Sequence, residues 1–155
     1  MKKNQKGFSL IELLIVVAII LIIAAIAIPN LLRSRMAANE ASAVGSIRSI
    51  NTAAVTYSST YPSVGYPSSL GVLAPATAAS SSTADLIDSV LSGGTKSGYQ
   101  FNLTGGSGTP VTGYSVTGDP VTPNTSGTRG FYSDQSGVIR YNSTSGATSA
   151  SSPLQ

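Results

Sequence analysis

An acidic side chain stands in the most apolar stretch of this sequence. Residues 8–28 carry only apolar side chains apart from Ser9 and Glu12. On insertion scales a carboxylate at the centre of a membrane-embedded helix costs about 2.5 to 3.5 kcal/mol, less near an end. Such a group calls for a cationic mate, and the basic residues near it in sequence are Lys2, Lys3, Lys6 and Arg33. Cleavage between Gly7 and Phe8 would supply another, a new α-amino group on Phe8 one helical turn before Glu12 and on the same helix face. The chemistry this spacing suggests is ion pairing at a processed N-terminus.

Other chemistry is poorly served. The chain has no cysteine, histidine or tryptophan, which removes disulfides, thiol nucleophiles, zinc thiolate sites and the commonest general base. We expect no catalytic residues and no cofactor. Gly93-Gly94-Thr95-Lys96-Ser97 lacks the Gly-Lys-Ser/Thr order of a phosphate loop and precedes a strand, so it reads as a helix stop and turn. Asp85, Asp88, Asp119 and Asp134 do not reach the ligand density of a calcium loop, and no metal is expected. The triplets beginning at Asn102, Asn124 and Asn142 fit the glycosylation pattern, which is common by chance in Ser- and Thr-rich sequence. Tyr99, Phe101, Tyr114, Phe131, Tyr132 and Tyr141 read as sheet packing, and no aromatic path runs along the N-terminal helix between Phe8 and Tyr57.

The elements that must position Glu12 come next. About 21 residues of helix rise about 31 Å, enough to cross a bilayer core. Lysines cluster before the run, so the N-terminus is expected on the cytoplasmic side and the rest of the chain outside. Pro29 removes a backbone donor and crowds the carbonyl of Ala25, which predicts a kink there. Beyond it Leu32, Met36, Val44, Ile47, Ile50, Ala54 and Tyr57 recur at helical spacing, interleaved with Arg33, Arg35, Asn39, Glu40, Arg48 and Asn51. Residues 29–58 are therefore expected as an amphipathic half-helix. Its polar face should be exposed and its apolar stripe buried against a small domain.

Residues 59–98 form a connector rich in Ser, Thr, Pro and Gly, with a turn at 68–73 and a short helix at 84–91. Thr83 would cap that helix, Asp85 would sit near its positive end, and Leu86, Val90 and Leu91 would face inward. Residues 99–142 suggest a small antiparallel sheet, with strands at 99–104, 114–118, 129–133 and 138–142. The last two flank Asp134-Gln135-Ser136-Gly137, a loop of hairpin length. Residues 143–155 read as a mobile, low-complexity tail.

The formal charge of +3 is carried by the extreme N-terminus. Without Lys2, Lys3 and Lys6 the nine basic residues become six, against six acidic. The argument for a nucleic-acid surface then loses its footing.

Lys6-Gly7-Phe8-Ser9-Leu10-Ile11-Glu12-Leu13, followed by an apolar run ending Ala27-Ile28-Pro29, resembles the class III leader and core of type IV pilins and the related type II secretion pseudopilins. The resemblance covers about the first 35 residues and implies an α+β pilin fold: a long N-terminal helix packed on a small C-terminal antiparallel sheet. It implies a leader at 1–7, removed after Gly7 by a prepilin peptidase, and N-methylation of Phe8. It also implies self-polymerisation through the apolar helix, with Glu12 pairing to the Phe8 amine of a neighbouring subunit. A pilus assembly ATPase, a platform protein and a secretin are the further partners implied. The chain would be a single-pass inner-membrane protein with its domain in the periplasm, and a component of a surface pilus after assembly. It departs from many relatives in lacking a C-terminal disulfide, and in having Leu21 where their apolar helix often has glycine.

Three other readings compete. Ala25-Ile26-Ala27 after a basic start mimics a secretory signal, but that reading has no use for Glu12, and signal apolar regions are usually about 7 to 15 residues. A pseudopilin shares every feature of the first 35 residues. A tethered binding domain needs only the anchor, and would tolerate Glu12→Ala.

Overall fold

A computed structural model describes residues 7–154. Lys2, Lys3 and Lys6, with most of the expected leader, and Gln155 lie outside the described residues. The chain divides into two units, Met1–Ser34 and Arg35–Gln155. Helix α1, Leu10–Thr60, contributes to both. Within the first unit its side chains are exposed on every side. An 18-residue window there has mean hydropathy 3.3 with none of it buried. By length and composition this helix can cross a membrane.

The second unit has its own core. Ala43, Val44, Ile47, Ile50, Ala54 and Tyr57 of α1 are buried, the stripe expected of an amphipathic helix with a 3.6-residue period. They cluster with Tyr99, Phe101, Leu103, Val116 and Phe131 from one sheet. That sheet is a six-stranded antiparallel meander in sequence order: β1 Thr95–Lys96, β2 Tyr99–Gly105, β3 Tyr114–Pro120, β4 Gly130–Asp134, β5 Arg140–Asn142 and β6 Ser152–Pro153. In β2, Tyr99, Phe101 and Leu103 point inward and alternate with exposed Gln100, Asn102 and Thr104, as a strand wet on one face requires. Gly118 of β3 lets the helix come close, because a Cβ there would lie 3.0 Å from the Phe101 ring and 3.3 Å from the Ile47 side chain.

The four expected strands are present, shifted at most two residues at either end. The sheet is larger than expected, with short strands added at both edges. β6 falls in the segment expected to be a mobile tail: Ser152 and Pro153 pair with Tyr141 and Arg140, and the Leu154 N–H donates to the Ile139 carbonyl at 2.7 Å. Ala147 is buried beside them. Backbone pairing, which needs no apolar pattern, orders a segment whose composition gave no sign of it.

The connector helix also differs. Only α2, Ser89–Ser92, is α-helical, and its N-cap is Asp88, where Thr83 was expected. The reason is competition for backbone donors. The N–H groups of Ala84, Asp85, Leu86 and Ile87 donate to carbonyls of Val72, Ala74 and Leu73, in and beside a 3₁₀ turn at Leu70–Leu73. That pairing draws residues 84–87 out of a helix. Ile87 and Leu91 are buried, whereas Val90, expected to face inward, is 56% exposed.

Candidate assembly site

At the N-terminal end of α1 the backbone leaves the helix just where the sequence suggests a cut. Gly7, Phe8 and Ser9 precede the first helical residue, Leu10. A Cβ added at Gly7 would meet nothing within 4 Å, and Phe8 is 81% exposed. Among the described residues nothing crowds the Gly7–Phe8 bond.

Glu12 has a local partner. Its Oε2 accepts the Ser9 N–H at 2.8 Å, with Ser9 at the N-cap and Glu12 three residues on. This is the side-chain-to-backbone arm of a capping box, which satisfies a donor that a helix start leaves unpaired. The Ser-x-x-Glu spacing of Ser9 and Glu12 is the sequence signal for this cap. A second carboxylate oxygen remains for another donor. Downstream, α1 runs through Pro29 as one element. Pro29 leaves the Ala25 carbonyl without its helical donor, and one turn on the Asn30 side chain donates to the Ile26 carbonyl at 3.1 Å.

Around this end the large apolar side chains from Phe8 to Leu32 are exposed, Ile11, Leu14, Ile22 and Ile26 among them. At roughly 25 cal/mol per Å² of apolar surface, so much exposed hydrocarbon is strongly unfavourable in water. What the arrangement can do chemically is pack, in lipid or against other apolar helices, with one carboxylate at its start.

The second unit carries a different carboxylate. Glu40, expected on the polar face, is only 6% exposed. Its Oε1 accepts the Thr128 N–H and hydroxyl, each at 2.9 Å, and the Arg129 N–H at 3.2 Å. Its Oε2 accepts Arg129 Nε at 2.7 Å. Burial alone pushes the Glu40 carboxyl up. The hydrogen bonds from Thr128 and Arg129 outweigh that and hold it below the ordinary carboxylate range.

The Arg129 guanidinium also lies 5.7 Å from the Phe131 ring centroid and 5.6 Å from that of Tyr141. Asn39 adds a bond to the Ser126 carbonyl at 2.8 Å. Gly127 is required in this loop, because a Cβ there would collide with the Tyr99 phenol.

Eleven positions further along α1, Asn51 is likewise buried where exposure was expected. Its Nδ2 donates to Ser133 Oγ at 2.8 Å and its Oδ1 accepts the Tyr114 hydroxyl at 3.0 Å. Burial, with Tyr66 and Asp134 nearby, pushes the Tyr114 phenol up to about 12. Two polar clamps thus bracket the apolar contact between residues 43–50 of α1 and the sheet. Among the described residues no three of His, Cys, Asp or Glu stand together as metal ligands.

Comparison with known proteins bears on the N-terminal end. Residues 2–28 match the family model of the prokaryotic N-terminal methylation motif. Over 38 residues it is 66% identical to the type IV wide pilus major component PilA4 of Thermus thermophilus. That match covers 24% of this chain and 29% of the relative, so the chain matches less than a third of that protein's length. No solved structure matches the chain.

Proposed function

We propose that this chain is the structural subunit of a type IV pilus, with a part in assembly and none in catalysis. In this reading it waits as a single-pass inner-membrane protein with residues 35–155 in the periplasm. A prepilin peptidase cuts it after Gly7, and the new Phe8 amine is methylated. The chain then polymerises through the apolar half of α1, driven by an assembly ATPase on a platform protein, and leaves through a secretin.

Glu12 keeps the Ser9 N–H with one carboxylate oxygen and takes the Phe8 amine of a neighbouring copy with the other. The flaw that Pro29 places in the helix ladder is where α1 bends or loosens during extraction. The observation that carries the reading is the methylation motif over residues 2–28, which runs into a helix whose apolar side chains find no cover among the described residues. Moving that helix from lipid to protein gains close packing and neutralisation of Glu12 while leaving withdrawal feasible.

The test is electron microscopy of cells expressing the full chain with an epitope in the exposed loop at residues 106–110. Long surface filaments decorated by antibody are expected. Label confined to short periplasmic fibres would instead identify a type II secretion pseudopilin, and label spread over the membrane without fibres would overturn both.

A further inference from the structure

The charges of residues 8–155 balance, six against six, yet they are not all matched within one chain. Lys96 pairs with Asp88 at 2.9 Å and Arg129 with Glu40 at 2.7 Å. Arg140 donates to the Ser151 carbonyl. Asp119 accepts the Gly146 N–H, Asp134 the Ser136 N–H, and Glu12 the Ser9 N–H. Among the described residues Arg33, Arg35 and Arg48 on α1 and, of the acids, Asp85 are exposed with no side-chain hydrogen bond or ion pair, whereas Glu12, Asp119 and Asp134 keep their charge but each holds a backbone N–H.

Asp85 is held out deliberately by its surroundings. Its φ of 54° is left-handed, uncommon for a residue with a side chain. Its N–H is bound to the Ala74 carbonyl at 3.0 Å, and Leu86 and Ile87 are tied to Leu73. Ala84 and Ile87 on either side are buried. The carboxylate therefore projects into solvent from an anchored segment. It caps nothing, since α2 begins only at Ser89 with Asp88 as its cap.

We propose that Asp85 docks on α1 of a second copy of this chain, at the collar where Arg33 and Arg35, two residues apart and so on different sides of the helix, present their guanidiniums. The inference rests on the filament reading above. Arg33 and Arg35 follow directly on the apolar segment that polymerisation would bury, so their charges come to the edge of a water-poor core. There an unpaired cation is costly and a paired one is weakly screened. Among the described residues no acid of their own chain pairs with them, and every other copy offers Asp85. Arg48 stands about four turns further along α1, away from the apolar segment, where it lines a groove with Ser49, Thr52 and Leu86. An acid on one surface meeting cations on another is also a heterologous contact, the kind that builds an open filament when its rotation does not close a ring.

The test uses sheared fibres of the full chain, equilibrated in mild detergent at about 50 and about 500 mM NaCl, with released subunit as the readout. Salt is expected to raise wild-type release. Asp85→Asn, which keeps a left-handed backbone accessible, should raise release about two- to fivefold at low salt and abolish the salt response. Arg33→Gln with Arg35→Gln should do the same, and all three together should add nothing further. Asp85→Asn fibres that release subunit as wild type does, or effects that simply add, would overturn the pairing while leaving the filament reading intact. Wild-type fibres that do not contain this chain would overturn both.

Discussion

One helix meets two different environments within its length. Residues 10–34 of α1 expose hydrocarbon on every side, whereas residues 35–60 bury a stripe and set charged and hydroxyl groups around it. Both halves contain a glutamate. Glu12 accepts one backbone N–H and has capacity left over, while Glu40 accepts four donors from Thr128 and Arg129 and is satisfied. The difference teaches where each half finds its partner. The second half finds it inside the chain, and the first half is left waiting for lipid or for other copies.

The sharpest way to break this comparison is to neutralise each glutamate in turn. Glu12→Ala and Glu12→Gln should both cut the yield of surface fibres by about a hundredfold or more, the scale expected when one partner of a buried ion pair is removed. The melting transition of residues 35–155, followed by tyrosine circular dichroism of the full chain in micelles, should not move. Gln still caps Ser9, so equal loss in the two variants shows that the charge matters to assembly and the cap does not. Fibres from either variant at wild-type yield would contradict the assignment.

In the other half the largest effect should come from the core. Ile47→Ala empties a fully buried site and should cost about 2 to 5 kcal/mol in denaturant unfolding. Glu40→Ala should cost less, about 1 to 3 kcal/mol, since it strands several donors but Arg129 stays partly in water. Its pH signature is specific. Because the folded Glu40 carboxyl sits below its ordinary value, its contribution is complete above about pH 4.3 and is lost as pH falls through the folded value. Wild type should therefore lose stability on acidification more steeply than Glu40→Ala. The smallest effect belongs to Asp88→Ala, which removes the α2 cap and an exposed pair with Lys96. A small drop in melting temperature is expected, of which high salt removes only the ion-pair share and leaves the lost cap.

Much of this architecture was legible because it rests on periodicity. The stripe through Ile47, Ile50, Ala54 and Tyr57 and the alternation in β2 each announce one burial face, and the unbroken apolar run announces a helix that is apolar all round. Where backbone bonding or a polar clamp decided the outcome, the sequence misled. Residues 84–87 look helical until their donors are seen bound to the 3₁₀ turn, and β6 has no pattern at all. Glu40 and Asn51 interrupt the apolar stripe just as solvent-facing residues do. Only the structure shows Thr128, Arg129, Ser133 and Tyr114 arriving from residues 63 to 89 positions away to satisfy them. At the N-terminal end the reverse holds. Gly7, Phe8 and Glu12 could be singled out from type and spacing, while a single chain supplies no second copy for Glu12 to meet.

The most direct measurement is the N-terminal sequence and mass of the subunit in purified, sheared surface fibres. The account requires a chain starting at methylated Phe8, with residues 1–7 gone and Glu12 retained. A subunit starting at Ile28, or one still carrying Gly7, would contradict it.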